Sequence, residues 1–139
     1  MQTIEEALRE FHKTYGLVIN DLPIDFSHEN DEDGELFELR YELVREEYSE
    51  FEGAWEAESL TDLADAICDL VYVLVGTAVS LGIPFDRCFA EVQRSNMSKL
   101  DENGLPIVRA DGKILKGPNF SPPDLKSIIY ERFGTDSST

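Results

Sequence analysis

The feature that most constrains this chain is the stretch from Leu70 to Ile83, an apolar run that contains Gly76, Thr77 and Ser80. A helix apolar on nearly every side needs neighbours all round, so it belongs at the centre of a bundle or in an oligomer interface. The run is short for a membrane span and suits a buried core helix. The helix itself starts earlier, near a Ser59–Thr61 cap, and runs to Leu81 with Gly82 as its stop. Its first half carries Asp62, Asp65 and Asp69 in one stripe, at spacings of three and four. Carboxylates on such a helix are costly unless something compensates them.

The same patterning places other helices before and after it. A first helix is predicted from Ile4 to Tyr15, with a capping-box pattern at Thr3 and Glu6 and a stop at Gly16. A second is predicted from Leu36 to Ala57, with Leu36, Leu39, Leu43, Tyr48, Phe51 and Trp55 as its apolar face. Pro84 precedes a fourth, Phe85 to Met97. Beyond it, "LPIVRADGKILKG" between turn signals reads as a small hairpin, and "SPPDLKSIIYERFG" as a short last helix capped by Ser121. The expectation is an all-α chain of four to five helices with a short hairpin-like tail. Residues 1–139 form one domain in this reading, and 101–139 pack on the bundle.

Charge narrows the partners. Net charge is -17, and it is uneven: residues 1–69 carry 21 acidic and four basic side chains, and residues 70–139 carry eight of each. Such a chain repels nucleic acid and anionic membranes, and its first half can concentrate cations. The N-terminal "MQTIEEALRE" is acidic and amphipathic, unlike a signal peptide, so a soluble cytoplasmic protein is expected. Cys68 and Cys88 show no metal or disulfide spacing and read as buried, reduced thiols.

A second acidic stripe lies on the preceding helix. In "EEYSE", Glu47 and Glu50 are helical neighbours and Glu46 flanks them. Two such stripes, joined by a short connection, can face each other in an antiparallel helix pair, where a divalent cation relieves their repulsion. Carboxylates without histidine or cysteine point to magnesium, with manganese as the substitute, and magnesium is usually shared with substrate phosphates. A di-iron bundle would need Glu-x-x-His motifs, which His12 and His28 do not supply. The "ENDEDG" loop fails as a calcium loop because Arg40 stands where the bidentate glutamate belongs, and it reads as a solvated acidic turn. Candidate phosphate-binding groups come later: Arg94, Asn96 and Lys99 in "RSNMSKL", then Lys113, Lys116 and Asn119 in "DGKILKGPNF".

These motifs together resemble the MazG-like all-α nucleotide pyrophosphohydrolases, grouped with the dimeric dUTPases and phosphoribosyl-ATP pyrophosphohydrolase. The family hallmark, E-E-x-x-E followed by E-x-x-D on the next helix, is matched by "EEYSE" and "DLAD", with Asp62 in place of the usual glutamate. "SNMSK" and "GPNF" resemble the tail of one subgroup. The resemblance implies hydrolysis of a (deoxy)nucleoside triphosphate to a monophosphate and pyrophosphate, in a nucleotide-pool-adjusting or house-cleaning role. It implies metal ligation by Glu47, Glu50, Asp62 and Asp65, and orientation or deprotonation of the attacking water by Glu46. Asp62 would ligate directly or through water, and Asp69 would support. It also implies a homodimer or homotetramer. Phe11, His12, Tyr15 and Trp55 are candidates for contacting the base, or for core packing. The rival readings are phosphoribosyl-ATP hydrolysis and a non-catalytic bundle that binds metal or nucleotide.

Overall fold

Thr3 opens the first helix, α1 (Ile4–Tyr15): its hydroxyl accepts the Glu6 N–H at 3.1 Å, and the Glu6 carboxylate accepts the Thr3 N–H at 3.1 Å. Two of the four orphan donors of the helix start are thereby satisfied. The computed structural model describes residues 1–26 and 31–131. After α1 come α2 (Asp31–Glu56), α3 (Leu60–Leu81), α4 (Phe85–Met97), the antiparallel pair β1 (Ile107–Val108) and β2 (Ile114–Leu115), and α5 (Leu125–Tyr130). The fold is all-α apart from that small pair, in which Ile107 faces Leu115 and Val108 faces Ile114. The chain divides into two compact units, Met1–Phe85 and Asp86–Thr139.

In the first unit α3 lies antiparallel to both α1 and α2. Leu8 of α1 packs with Val75 and Val79 of α3, all three at most 2% exposed, and Phe11 meets Tyr72 edge-on at 5.2 Å. The carboxyl end of α3 is closed from an unexpected direction. Asn20 donates its backbone N–H to Val79 O (3.1 Å) and its side-chain amide to Ser80 O (2.7 Å). Ile24 donates to Leu81 O at 3.0 Å, so a loop some 60 residues upstream satisfies carbonyls that a helix end leaves unpaired. Gly82 is required there twice over: its φ is 77°, and a Cβ would strike the Leu22 carbonyl. Glu5 then accepts the Phe85 N–H at 2.9 Å.

Several expectations need correction. α2 begins at Asp31, five residues early, because Glu32 and Asp33 suit the positive end of a helix. The predicted acidic turn is therefore helical from Asp31 on; Glu29 and Asn30 lie outside the described residues, as do 132–134 of the predicted last helix. The predicted apolar face of α2 is also displaced. Leu39, Tyr48 and Trp55 are more than half exposed, whereas α3 packs along a line through Arg40, Glu47 and Ala54, seven residues apart. The last helix is capped by Asp124, which accepts the Ser127 N–H at 3.1 Å, so Ser121 and both prolines precede it. Cys68 is exposed, because it shares α3's outer side with Ile67 and Val71. By length and composition α3 could cross a membrane; in the fold its last two turns are mostly buried, from Val75 to Leu81, while Val71, Tyr72 and Leu74 of the predicted core run are exposed.

Candidate metal centre and active site

Three residues separate α2 from α3, which makes the pair a tight helical hairpin and fixes which positions meet. Near the turn Ala54 and Ala66 are buried; about four turns back along α2, Arg40 reaches Val73 and Thr77 of α3. Between these points the carboxylates come together. Glu47, Glu50 and Asp69 each offer an oxygen, all within 4.8 Å of one another.

Glu47 is the centre of this group. Its side chain is half-buried, and its Oε2 is shielded from solvent with no hydrogen-bond partner. Burial pushes its carboxyl above the usual range, and the charges of Glu50 and Asp69 push it further. A shielded, unpaired carboxylate oxygen beside two more carboxylates is unfavourable as it stands. An all-oxygen donor set of this kind fits a hard divalent cation.

The structure brings only part of the predicted ligand set into this group. Glu47 and Glu50 are in it, and Asp69, read from sequence as a supporting group, completes it. Asp62 and Asp65 instead line a neighbouring cavity of about 290 Å³ with Glu50, Gly53, Ala54, Ala57 and Ala66. The Asp62 N–H also donates to Ser59 Oγ at 3.2 Å in the α3 cap. Glu46 is exposed and outside the three-carboxylate group. The short connection was the available signal for Asp69: counting back equally on both helices from the turn sets it opposite Glu47.

The aromatic candidates divide. His12 is 1% exposed and belongs to the core, so it is withdrawn from any ligand. Its Nδ1 lies 3.0 Å from Val18 O, an acceptor, so Nδ1 carries the proton. Burial lowers its pKa against the partial opposition of that hydrogen bond, and Arg40 lowers it further. Phe11 packs against Tyr15 and Tyr72. Tyr48, Phe51 and Trp55 form an aromatic ladder along α2, with ring centroids 6.3 and 6.1 Å apart, and Trp55 is 65% exposed.

The predicted phosphate-binding groups lie in the second unit. Asn96 and Lys99 line a cavity of about 350 Å³ with Met97, Leu100, Pro106 and Ile114. Arg94 is engaged elsewhere: it donates to Glu91 at 2.8 and 3.0 Å and to Pro122 O at 3.1 Å. Lys116 Nζ stands 4.7 Å from the centre of the Phe120 ring. Lys113 and Asn119 are exposed, the former in the hairpin turn, where its N–H donates to Asp111 at 3.2 Å.

Fold and carboxylate centre together define a class, and comparison with known proteins agrees. The family model for phosphoribosyl-ATP pyrophosphohydrolase matches residues 8–96. The chain belongs to that family, within the MazG-like superfamily of pyrophosphohydrolases. The match spans both acidic stripes and stops before Lys99, Lys113, Lys116 and Asn119. A crystal structure of a candidate NTP pyrophosphohydrolase from Exiguobacterium sp. 255-15 shares the fold, with a TM-score of 0.51 over 98% of this chain and 99% of that one, at 22% identity. An uncharacterised protein of Acanthamoeba polyphaga mimivirus is 33% identical over 83 residues, 59% of this chain. The match covers 32% of that viral protein, so the chain spans about a third of the length of this curated relative.

Proposed function

We propose that this chain hydrolyses a nucleoside triphosphate between its α and β phosphates, in a reaction that requires magnesium or manganese. The observation that carries the reading is Glu47 Oε2, shielded and unpaired among three carboxylates. Glu47, Glu50 and Asp69 would hold the ion, with Asp62 and Asp65 beside Glu50 bordering it. When bound, such an ion withdraws charge from the phosphates. Glu46 accepts the proton of the attacking water as its oxygen bonds to the α-phosphorus. The bond from that phosphorus to the bridging oxygen breaks, and pyrophosphate leaves with the bridging oxygen. Charge on the departing group calls for cations and amide donors, and Lys99, Lys113 and Lys116, with Asn96 and Asn119, are the candidates for that role. Arg94 contributes less directly, since its guanidinium is committed to Glu91 and Pro122.

Self-association belongs to the same reading. Leu60, Ile67, Val71 and Leu74 line an exposed apolar stripe on α3, and a homodimer or homotetramer would cover it. Sedimentation at micromolar concentration tests this; a monomer would refute it.

The test of the activity is pyrophosphate release from ribo- and deoxynucleoside triphosphates and from phosphoribosyl-ATP, with and without magnesium, beside a Glu47→Gln control. The matched family's description is what favours phosphoribosyl-ATP as a second reading. Metal-dependent release that the control abolishes supports catalysis, and the preferred substrate decides between the two. No release from any substrate leaves a non-catalytic bundle.

A further inference from the structure

Arg40 is 5% exposed, and among the described residues no acidic side chain lies within ion-pair reach of it. Its guanidinium bonds instead across the helix pair: Nε donates to Thr77 Oγ1 at 3.2 Å and Nη2 to Val73 O at 3.0 Å. Thr77 Oγ1 donates to the same Val73 carbonyl at 2.7 Å. Gly76 makes the seat. A Cβ there would stand 2.6 Å from Arg40 Nη2 and 3.0 Å from His12 Nε2. A buried cation without a counterion is a poor source of stability, as the lowering of its pKa by burial reflects.

What such a group can supply is register. Of the other groups along this pair, Ala54 and Ala66 are buried but small, and Glu47 is half-buried and acidic. A slip of one turn, about 5.4 Å, would set Glu47 opposite Ala66 or Val73 instead of Asp69. Arg40 lies seven residues from Glu47 on one helix, and Val73 lies four from Asp69 on the other, so the anchor and the carboxylates share one rigid pair.

We infer that Arg40 is a positioning residue: seated over Gly76, its guanidinium sets the register of α2 against α3 and thereby brings Glu47 to Asp69. The inference rests on the metal reading for its consequence, though not for its structural core.

Two measurements test it separately. In a Cys88→Ser background, spin labels on the exposed Cys68 and on Glu52→Cys report the α2–α3 distance without metal. Arg40→Met and the milder Gly76→Ala should shift or broaden that distance, and Arg40→Lys should fall between them and the wild type. Manganese titration, without nucleotide, should show affinity reduced about tenfold or more in Arg40→Met and Gly76→Ala, the scale seen when groups behind metal ligands are removed. Leu8→Ala, a core truncation in the same unit, should lose stability yet keep both the distance and the affinity. Unchanged distances in folded Arg40→Met or Gly76→Ala would overturn the inference, as would an equal effect of Leu8→Ala. If the wild type binds no manganese, the metal reading fails, and the label distances still decide the register.

Discussion

Glu47 and Asp69 meet across α2 and α3 with carboxylate oxygens no more than 4.8 Å apart, and one Glu47 oxygen has no hydrogen-bond partner. Saturating magnesium should therefore raise the melting temperature, because a ligand of the native state stabilises it by about 2.7 kcal/mol at a hundred times its dissociation constant. Glu47→Gln should melt at or above the wild-type temperature without metal, since it removes one of three crowded charges, and should lose the magnesium shift. Scanning fluorimetry with and without magnesium measures both.

The two aspartate positions should separate. Asp69→Asn should weaken manganese binding by about 10- to 100-fold, and Asp62→Ala by less, because only Asp69 lies in the three-carboxylate group. Asp62→Glu should tighten binding if the longer side chain reaches the ion. Calorimetric titration of the three variants ranks them; an Asp62 loss larger than the Asp69 loss would return Asp62 to the primary ligand set.

Stability should depend on pH through Glu91. Its hydrogen bonds to Arg94 and to the Asp124 N–H hold its pKa down to about 2, against 4.5 in a free side chain. The stabilisation is complete above about pH 4.5 and is lost as pH falls toward 2. Glu91→Gln should remove this part of the acid branch in urea titrations run from pH 5 to pH 2.5.

His12 acts in the same direction at higher pH. Its folded pKa lies below 6.5, so the unfolded chain binds the proton first and stability falls as pH drops below 6.5. His12→Asn keeps a donor for Val18 O and should flatten that slope, which melting curves between pH 8 and pH 5.5 would show.

In the second unit, the cations should sort by engagement. Arg94→Ala should cost stability, since it frees both Glu91 and the Pro122 carbonyl. Lys116→Ala gives up a contact with Phe120 of about 0.5–1 kcal/mol and should act mainly on KM. Steady-state kinetics beside urea unfolding distinguishes the two effects.

The sequence disclosed the helices whose ends carry chemistry: Thr3 with Glu6, Ser59, and Gly82 all stand where their caps predict. It also disclosed both acidic stripes, since helical spacing is a local property. What it hid was which other residues of α2 face α3. The buried line of α2 runs through Arg40, Glu47 and Ala54, of which only the alanine is apolar, so a hydrophobic pattern pointed to Leu39, Tyr48 and Trp55 instead. Arg40 looked like a failed calcium ligand because its partners, Val73 and Thr77, lie more than 30 residues away. Cys68 looked buried because its sequence neighbours are apolar, and two of them, Ile67 and Val71, are themselves exposed.

The closure of α3 by residues before it has a consequence for biosynthesis. Asn20, Ile24 and Glu5 have all left the ribosome before Val79, Leu81 and Phe85 are made, so each contact can form as soon as its later partner emerges. Every side chain of the acidic centre is also encoded before residue 70. At about 5–20 residues per second, the following segment still takes seconds to translate. The nascent chain thus holds a complete set of metal-seeking carboxylates while the lysines proposed to meet the substrate are still unmade.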